Sequence, residues 1–269
     1  MSGNKIRKLK YNLIQARQEG HNTLLTFGGA YSNHIYAVAA AGKIYGFKTI
    51  GVIRGEKYDN LNPTLSFARS SGMQLHYLSR MAYKEKYSPA TLRALKKEFG
   101  EFYLLPEGGT NPLALKGCTE IVQEIDFPFD VITTCCGSGG TLGGIIAGLN
   151  GRKHAIGFSV LKGGAFLGQD IRDHIRKYNG NTYLNWHIEL DYHFGGYARY
   201  SSELINFMND FKRKHKIQLD PIYTGKMMFG ILDMIKKDKI KRGTIIVAIH
   251  TGGLQGIAGF NERFGNLIH

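Results

Sequence analysis

The first residue in the chain with covalent chemistry in reach is Lys5, in the run Ser2-Gly3-Asn4-Lys5-Ile6-Arg7-Lys8-Leu9, just ahead of a helical pattern. A lysine amine can bond to a carbonyl carbon, yet lysine as a type is a solvated surface residue unless something buries it. Three further stretches change its standing. Gly28-Gly29-Ala30-Tyr31-Ser32-Asn33-His34 lies at a strand-to-helix junction, where a glycine turn leaves backbone N–H groups aimed at one spot. With the Ser32 and Asn33 side chains as donors this suits a carboxylate, and it equally suits a tight turn with Ser32 or Asn33 as helix cap. Thr134-Cys135-Cys136-Gly137-Ser138-Gly139-Gly140-Thr141 also joins an apolar strand to a helix. Its small residues let a loop wrap a phosphate, with the Ser138 and Thr141 hydroxyls completing the cradle; a generic glycine turn is the competing reading. No Gly-Lys-Ser/Thr follows, so it is not a nucleotide P-loop. Asp220-Pro221-Ile222-Tyr223-Thr224-Gly225-Lys226 precedes another helix, and Tyr223 by itself reads as an ordinary buried aromatic. His250-Thr251-Gly252-Gly253 ends the last apolar run.

The elements that position these stretches alternate regularly. Apolar spacing and stop signals predict helices over 8–19, 31–45, 61–71, 88–99, 112–125, 142–149, 166–178, 200–215 and 225–236, with a last one from about 253. Between them come strands over 23–27, 48–54, 73–78, 102–105, 129–135, 154–160, 182–188 and 243–249. Short buried strands alternating with helices imply an α/β fold of open, mostly parallel twisted sheet with helices on both faces. The stretches at 28–34, 134–141 and 250–253 fall at the carboxyl end of a strand, where such sheets hold ligands, and Asp220–Lys226 opens a helix. A lysine, a phosphate cradle and a carboxylate cradle together point to a phosphorylated aldehyde joined to an amino acid, that is, pyridoxal phosphate on a lysine Schiff base.

Composition narrows the class. The 269 residues are 43% hydrophobic and 21% charged, an ordinary globular balance. No apolar run approaches the roughly 20 residues of a membrane span. The first ten residues carry Lys5, Arg7, Lys8 and Lys10 with no apolar block behind them, unlike a secretory leader. The three cysteines, Cys118, Cys135 and Cys136, form no disulfide framework or metal-ligand spacing and are expected to pack in a reducing cytoplasm. The net charge of +14 is spread along the chain without a nucleic-acid reading motif, so solvated helix faces and a pocket for anionic ligands account for it.

In its motifs the chain resembles the 1-aminocyclopropane-1-carboxylate deaminase/D-cysteine desulfhydrase family of pyridoxal-phosphate enzymes, with the tryptophan synthase β-subunit fold (fold type II). The likeness runs from Gly3-Asn4-Lys5-Ile6-Arg7-Lys8-Leu9 through Gly28–His34 to Asp220–Lys226, essentially the whole chain. It implies two domains, residues 1–18 with 113–269 binding the cofactor and 19–112 carrying the carboxylate loop, without the segment that usually precedes the lysine motif. It implies that Lys5 carries the cofactor, Asn33 bonds the ring hydroxyl, and Ser32 with its neighbouring amides, Asn33 and His34, takes the substrate carboxylate. Cys136, Gly137, Ser138, Gly139, Gly140 and Thr141 would hold the phosphate, Tyr223 and Tyr197 would face the substrate, and Thr224 would face the pyridine nitrogen. Deaminases of the family carry Glu where this chain has Thr224, whereas the desulfhydrases carry Thr.

The implied activity is that of a lyase, or a deaminase or hydrolase, acting on a small amino acid as a homodimer. D-cysteine going to pyruvate, sulfide and ammonia is the first expectation, and opening of aminocyclopropane carboxylate to 2-oxobutanoate and ammonia the second. A cofactor-binding protein with impaired catalysis is the third. A cysteine-synthase-like enzyme should have Thr-Ser-Gly-Asn-Thr at the carboxylate loop, where this chain has Ala30-Tyr31-Ser32-Asn33-His34.

Overall fold

The computed structural model describes residues 3–57 and 60–269; Ser2, the first residue of the lysine motif, lies outside them. The described chain divides into two compact units, residues 9–109, and residues 3–8 together with 110–269.

The first unit is built from most of α1 (Asn4–Gln18), then β1 (Thr23–Gly29), α2 (Asn33–Tyr45), β2 (Lys48–Arg54), α3 (Pro63–Ser70), β3 (Met73–Leu78), α4 (Arg80–Lys84), α5 (Pro89–Phe99) and β4 (Tyr103–Leu105). Its strands form a parallel sheet in the order β3-β2-β1-β4. The apolar run Leu24-Leu25-Thr26-Phe27 is buried on both faces because alternate side chains enter different cores. Leu24 joins Ile35, Val38 and Ala41, while Leu25 and Phe27 join Ile50, Val52 and Leu95. Residues 9–18, grouped with the larger unit on sequence grounds, pack here with the smaller one, because Leu9, Leu13 and Ala16 are buried in the first of those cores. Helix starts follow local rules: Asn62 and Ser88 each cap a helix that has proline in its first turn. The short α4, capped by Ser79, was not foreseen.

The second unit continues with α6 (Pro112–Gln123), β5 (Val131–Cys136), α7 (Gly140–Leu149), β6 (His154–Ser159), α8 (Leu167–Asn179), β7 (Trp186–Glu189), α9 (Ser202–His215), α10 (Thr224–Lys236), β8 (Ile246–Ala248) and α11 (Gly256–Phe264). Its sheet is parallel in the order β7-β6-β5-β8, again buried on both sides. Cys136 packs with Ile132 and Leu142 on one face, Cys135 with Phe158 and Met227 on the other. β8 is shorter than the expected 243–249. The Thr244 hydroxyl donates to the Lys241 carbonyl, and the Ile245 N–H donates to the Asp130 carboxylate, which keeps that approach in a turn.

One sequence expectation is corrected at the start of the chain. Lys5 lies inside α1, not ahead of it. The helix begins early because residues 110–269 hold its first turn: Asn4 N–H donates to the Thr251 carbonyl at 3.3 Å, and the Asn4 amide donates to Thr141 Oγ1 at 2.8 Å. Gly3 has φ +69°, and a Cβ there would stand 2.0 Å from the Thr251 oxygen, so this close approach requires glycine.

Candidate functional site

In the second unit, starting α1 at Asn4 places Lys5 and Lys8 three residues apart on one helical face. Arg7, on another side of the turn, anchors it through Glu120 (3.2 Å) and Glu124 (2.5 Å). Burial holds the Lys5 amine down to about 8, with the Cys118 and Cys135 thiols pulling weakly the other way. Lys8 is only 1% exposed, and burial followed by its neighbour Lys5 pushes its amine well below the ordinary lysine range. Each amine lowers the other's tendency to hold a proton, and an anion beside them would favour their charged forms.

The hydroxyls around Lys8 would suit an anion. Lys8 Nζ donates to Thr110 Oγ1 at 2.8 Å and to Ser138 Oγ at 3.5 Å, and those two hydroxyls lie 2.8 Å apart. The loop behind them, Cys136–Thr141, leads directly into α7, whose cap is Gly139 with no side chain bonded to the first amides. These N–H groups are therefore left for a ligand at the positive end of the helix. A Cβ on Gly140 would stand 2.6 Å from Thr110 Oγ1 and 3.1 Å from Lys8 Nζ, filling the cradle. Hydroxyls, helix amides and a buried ammonium make a donor set for a phosphate, and Lys5 adds an amine on the same face. The residues fit pyridoxal phosphate.

The two tyrosines expected on the substrate side come together. Their rings meet edge to face with centroids 6.1 Å apart, and the Tyr223 ring lies against Gly137, the first glycine of the loop. Burial, with Tyr197 next, raises the Tyr223 phenol well above its usual range, so it keeps its proton at neutral pH. Thr224 was expected to face a pyridine nitrogen; its hydroxyl is committed to Asp220, donating to Oδ2 at 2.7 Å and accepting from the Asp220 N–H at 2.8 Å. The cysteines pack as expected: burial pushes the Cys135 thiol up to about 12 and the Cys118 thiol up to about 11.

In the first unit Ser32, in the loop at 28–34, caps the helix that the loop opens. Ser32 Oγ accepts from the His34 and Ile35 amides at 3.2 and 3.3 Å, and Asn33 is the first residue of α2. His34, expected among the substrate contacts, turns inward instead: it is 2% exposed, with Nε2 at 2.9 Å from Thr26 Oγ1. Ser32→Ala is therefore expected to cost about 1 kcal/mol of stability, the usual worth of a cap, as a lowered urea midpoint that Ser32→Asp largely restores.

Sequence reasoning missed Lys8, Thr110, Asn4 and Thr251. The Lys5/Lys8 spacing could have signalled the first, had the helix been started early enough. Thr110 carries no local signal, since it acts by a pairing with Lys8 about a hundred residues away in the chain, and Thr251 lay in the singled-out run His250–Gly253 without its pairing to Asn4 being visible.

Residues 1–252 match the family model described as pyridoxal-phosphate dependent enzyme. A putative 1-aminocyclopropane-1-carboxylate deaminase from Pyrococcus horikoshii is 30% identical over 280 residues, spanning 100% of this chain and 85% of that protein. The bifunctional D-cysteine desulfhydrase/1-aminocyclopropane-1-carboxylate deaminase of Arabidopsis thaliana, described as mitochondrial, is 32% identical over 305 residues, spanning 100% of this chain and 73% of that one. The crystal structure of an ACC deaminase homologue superposes with a TM-score of 0.85 at 28% identity, covering 99% of this chain and 85% of its own. A processed threonine deaminase isoform from Solanum lycopersicum shares the fold, with a TM-score of 0.67 at 16% identity over 98% of this chain and 80% of that one. Lyase and deaminase chemistry suit these relatives; the wider expectation of a hydrolase gains no support from them.

Proposed function

Since the chain belongs to the pyridoxal-phosphate-dependent enzymes, in the 1-aminocyclopropane-1-carboxylate deaminase/D-cysteine desulfhydrase family, we propose that it eliminates hydrogen sulfide from D-cysteine, the remaining aminoacrylate taking up one water to give pyruvate and ammonia. The observation that carries this reading is the pair of lysines on one face of α1, Lys5 half-buried and Lys8 buried, with Lys8 bonded to the hydroxyls of Thr110 and of Ser138 in the glycine loop.

Lys8, Ser138, Thr141 and the first amides of α7 would hold the cofactor phosphate, and Lys5 would carry its aldehyde carbon. When bound, the cofactor supplies an electron sink for charge left at the substrate Cα. Lys5 Nζ takes the Cα proton: an amine held near 8 is free base often enough to accept it and basic enough to be effective. Tyr223, with its phenol held protonated, is the wrong group to be that base and the right one to donate to a departing sulfur. Tyr197 orients its hydroxyl partner from the edge of the ring. With the Thr224 hydroxyl committed to Asp220, this turn offers the ring nitrogen no carboxylate of the kind the family's deaminases carry, which favours elimination over ring opening.

Side-by-side assays of D-cysteine, L-cysteine and aminocyclopropane carboxylate test the reading. Sulfide and pyruvate from D-cysteine at the highest kcat/KM are expected. A faster release of 2-oxobutanoate would make the protein a ring-opening deaminase, and no turnover of any of the three by the yellow protein would leave it a cofactor-binding protein.

A further inference from the structure

The buried lysine that the chemistry above leaves unused is Lys226. It is 1% exposed in the first turn of α10, and among the described residues it makes no ion pair. Burial holds its amine down to about 8, with Asp220 pulling the other way. A buried ammonium is costly unless its donors are used. Here its bonds go to a single loop: Lys226 Nζ donates to the His193 carbonyl and to the Gly196 carbonyl, each at 2.8 Å.

That loop, between β7 and α9, has unusual backbone. Phe194 (φ 52°), Gly195 (φ 90°), Gly196 (φ 117°) and Ala198 (φ 56°) put four left-handed residues within five positions, two of them not glycine. Such conformations persist only where surrounding contacts over-determine them. One turn further along α10, the Phe229 ring meets Phe194 edge to face at 5.0 Å, so the same helix grips the loop twice. Between the gripped residues and α9 stands Tyr197, 44% exposed, with its ring on Tyr223. The turn that carries Tyr223 is itself fixed by Asp220, whose carboxylate accepts from the Ile222, Tyr223 and Thr224 amides at 3.0, 2.8 and 2.9 Å.

We propose that Lys226 is a positioning residue: it fixes the 193–198 loop through two backbone carbonyls and thereby sets Tyr197 against Tyr223 for work on the substrate, with no part in holding the cofactor. The proposal rests on the reading of this site as an amino-acid lyase and adds the element that aligns its two tyrosines. One stretch, Asp220–Lys226, then orients both: Asp220 holds Tyr223 in place, and Lys226 holds the loop of Tyr197. A displacement of the order of an ångström at a reacting group costs about 10²-fold in rate, so the loss should fall on turnover.

The experiment compares wild-type holoenzyme with Lys226→Met, Lys226→Gln, Tyr197→Phe and the Lys226→Met/Tyr197→Phe pair. Lys226→Met is expected to leave cofactor affinity, titrated by absorbance, within about twofold while lowering kcat for D-cysteine about 10²-fold. Lys226→Gln, which keeps a donor for one carbonyl, should recover part of that loss. The double variant should be no slower than the slower single, because both changes remove one function. Amide hydrogen exchange over residues 193–199 should accelerate in Lys226→Met with the cofactor bound; this arm needs no turnover. If the wild type turned over no substrate, the lyase reading would fail while faster exchange still upheld the hold of Lys226 on the loop. Unchanged exchange, lost cofactor binding, or multiplying effects of the two changes would each overturn the proposal. Should Lys226→Met fail to fold, the same comparisons are made with Lys226→Gln.

Discussion

Lys5→Ala is expected to give a folded protein without the yellow absorbance of lysine-bound pyridoxal phosphate, and with elimination activity reduced about 10²–10⁴-fold, the usual contribution of a positioned general base. Two roles vanish with this one amine: the attachment point of the cofactor and the acceptor for the substrate's Cα proton. Added primary amines should restore a small part of the rate, because an alanine leaves room where the Lys5 stem passed and an exogenous amine can accept a proton. The fold should tolerate the change, since it removes an amine that burial already holds down to about 8. An unchanged yellow protein would remove Lys5 from the mechanism; a colourless protein with undiminished turnover would remove the cofactor.

Lys8→Met separates phosphate binding from chemistry. Lys8 Nζ bonds Thr110 and Ser138 beside the opening of α7. Against a phosphate its lost charge-assisted bond is worth about 1.5–3 kcal/mol, so cofactor affinity should fall about 10–150-fold. At saturating cofactor, kcat should stay close to the wild-type value. The same substitution makes a prediction without cofactor. The Lys8 amine lies well below 10.5 in the folded chain and near 10.5 when unfolded. Between those two values the unfolded chain binds more protons, so stability rises with pH across that window and is lost as pH falls through it. Lys8→Met should flatten that rise in the thermal midpoint of cofactor-free protein, and should raise the midpoint at neutral pH. Tighter cofactor binding in the variant, or an unchanged pH profile, would refute the assignment.

These expectations rest on very different kinds of legibility. The alternation of short apolar strands with capped helices is local, so it could be read directly: the expected strands over 48–54 and 73–78 coincide with β2 and β3, and Gly46 stops α2 in the left-handed conformation that its lack of a side chain allows. The glycine-rich loop after β5 was legible for the same reason, because four small residues between an apolar run and a helix have few other uses.

What only the tertiary structure decided concerns pairings distant along the chain. Asn4 reaches Thr141 across 137 positions and Lys8 reaches Thr110 across 102. Helix α1 therefore starts four residues earlier than its apolar pattern indicates, and of the two lysines on its first turns Lys8 becomes buried and Lys5 half-buried. The loop at 28–34 shows the same division. Its glycines and Ser32 could be read as a helix opening, but the choice between a capping hydroxyl and a free donor, and the inward turn of His34 onto Thr26, depend on packing. Sequence by itself determined the class of most elements, the family and the cofactor, because these follow from period, turn chemistry and the order of motifs. The structure alone decided which polar side chains share a surrounding, because burial and the hydrogen bonds it enforces are properties of the folded chain and not of neighbours in sequence.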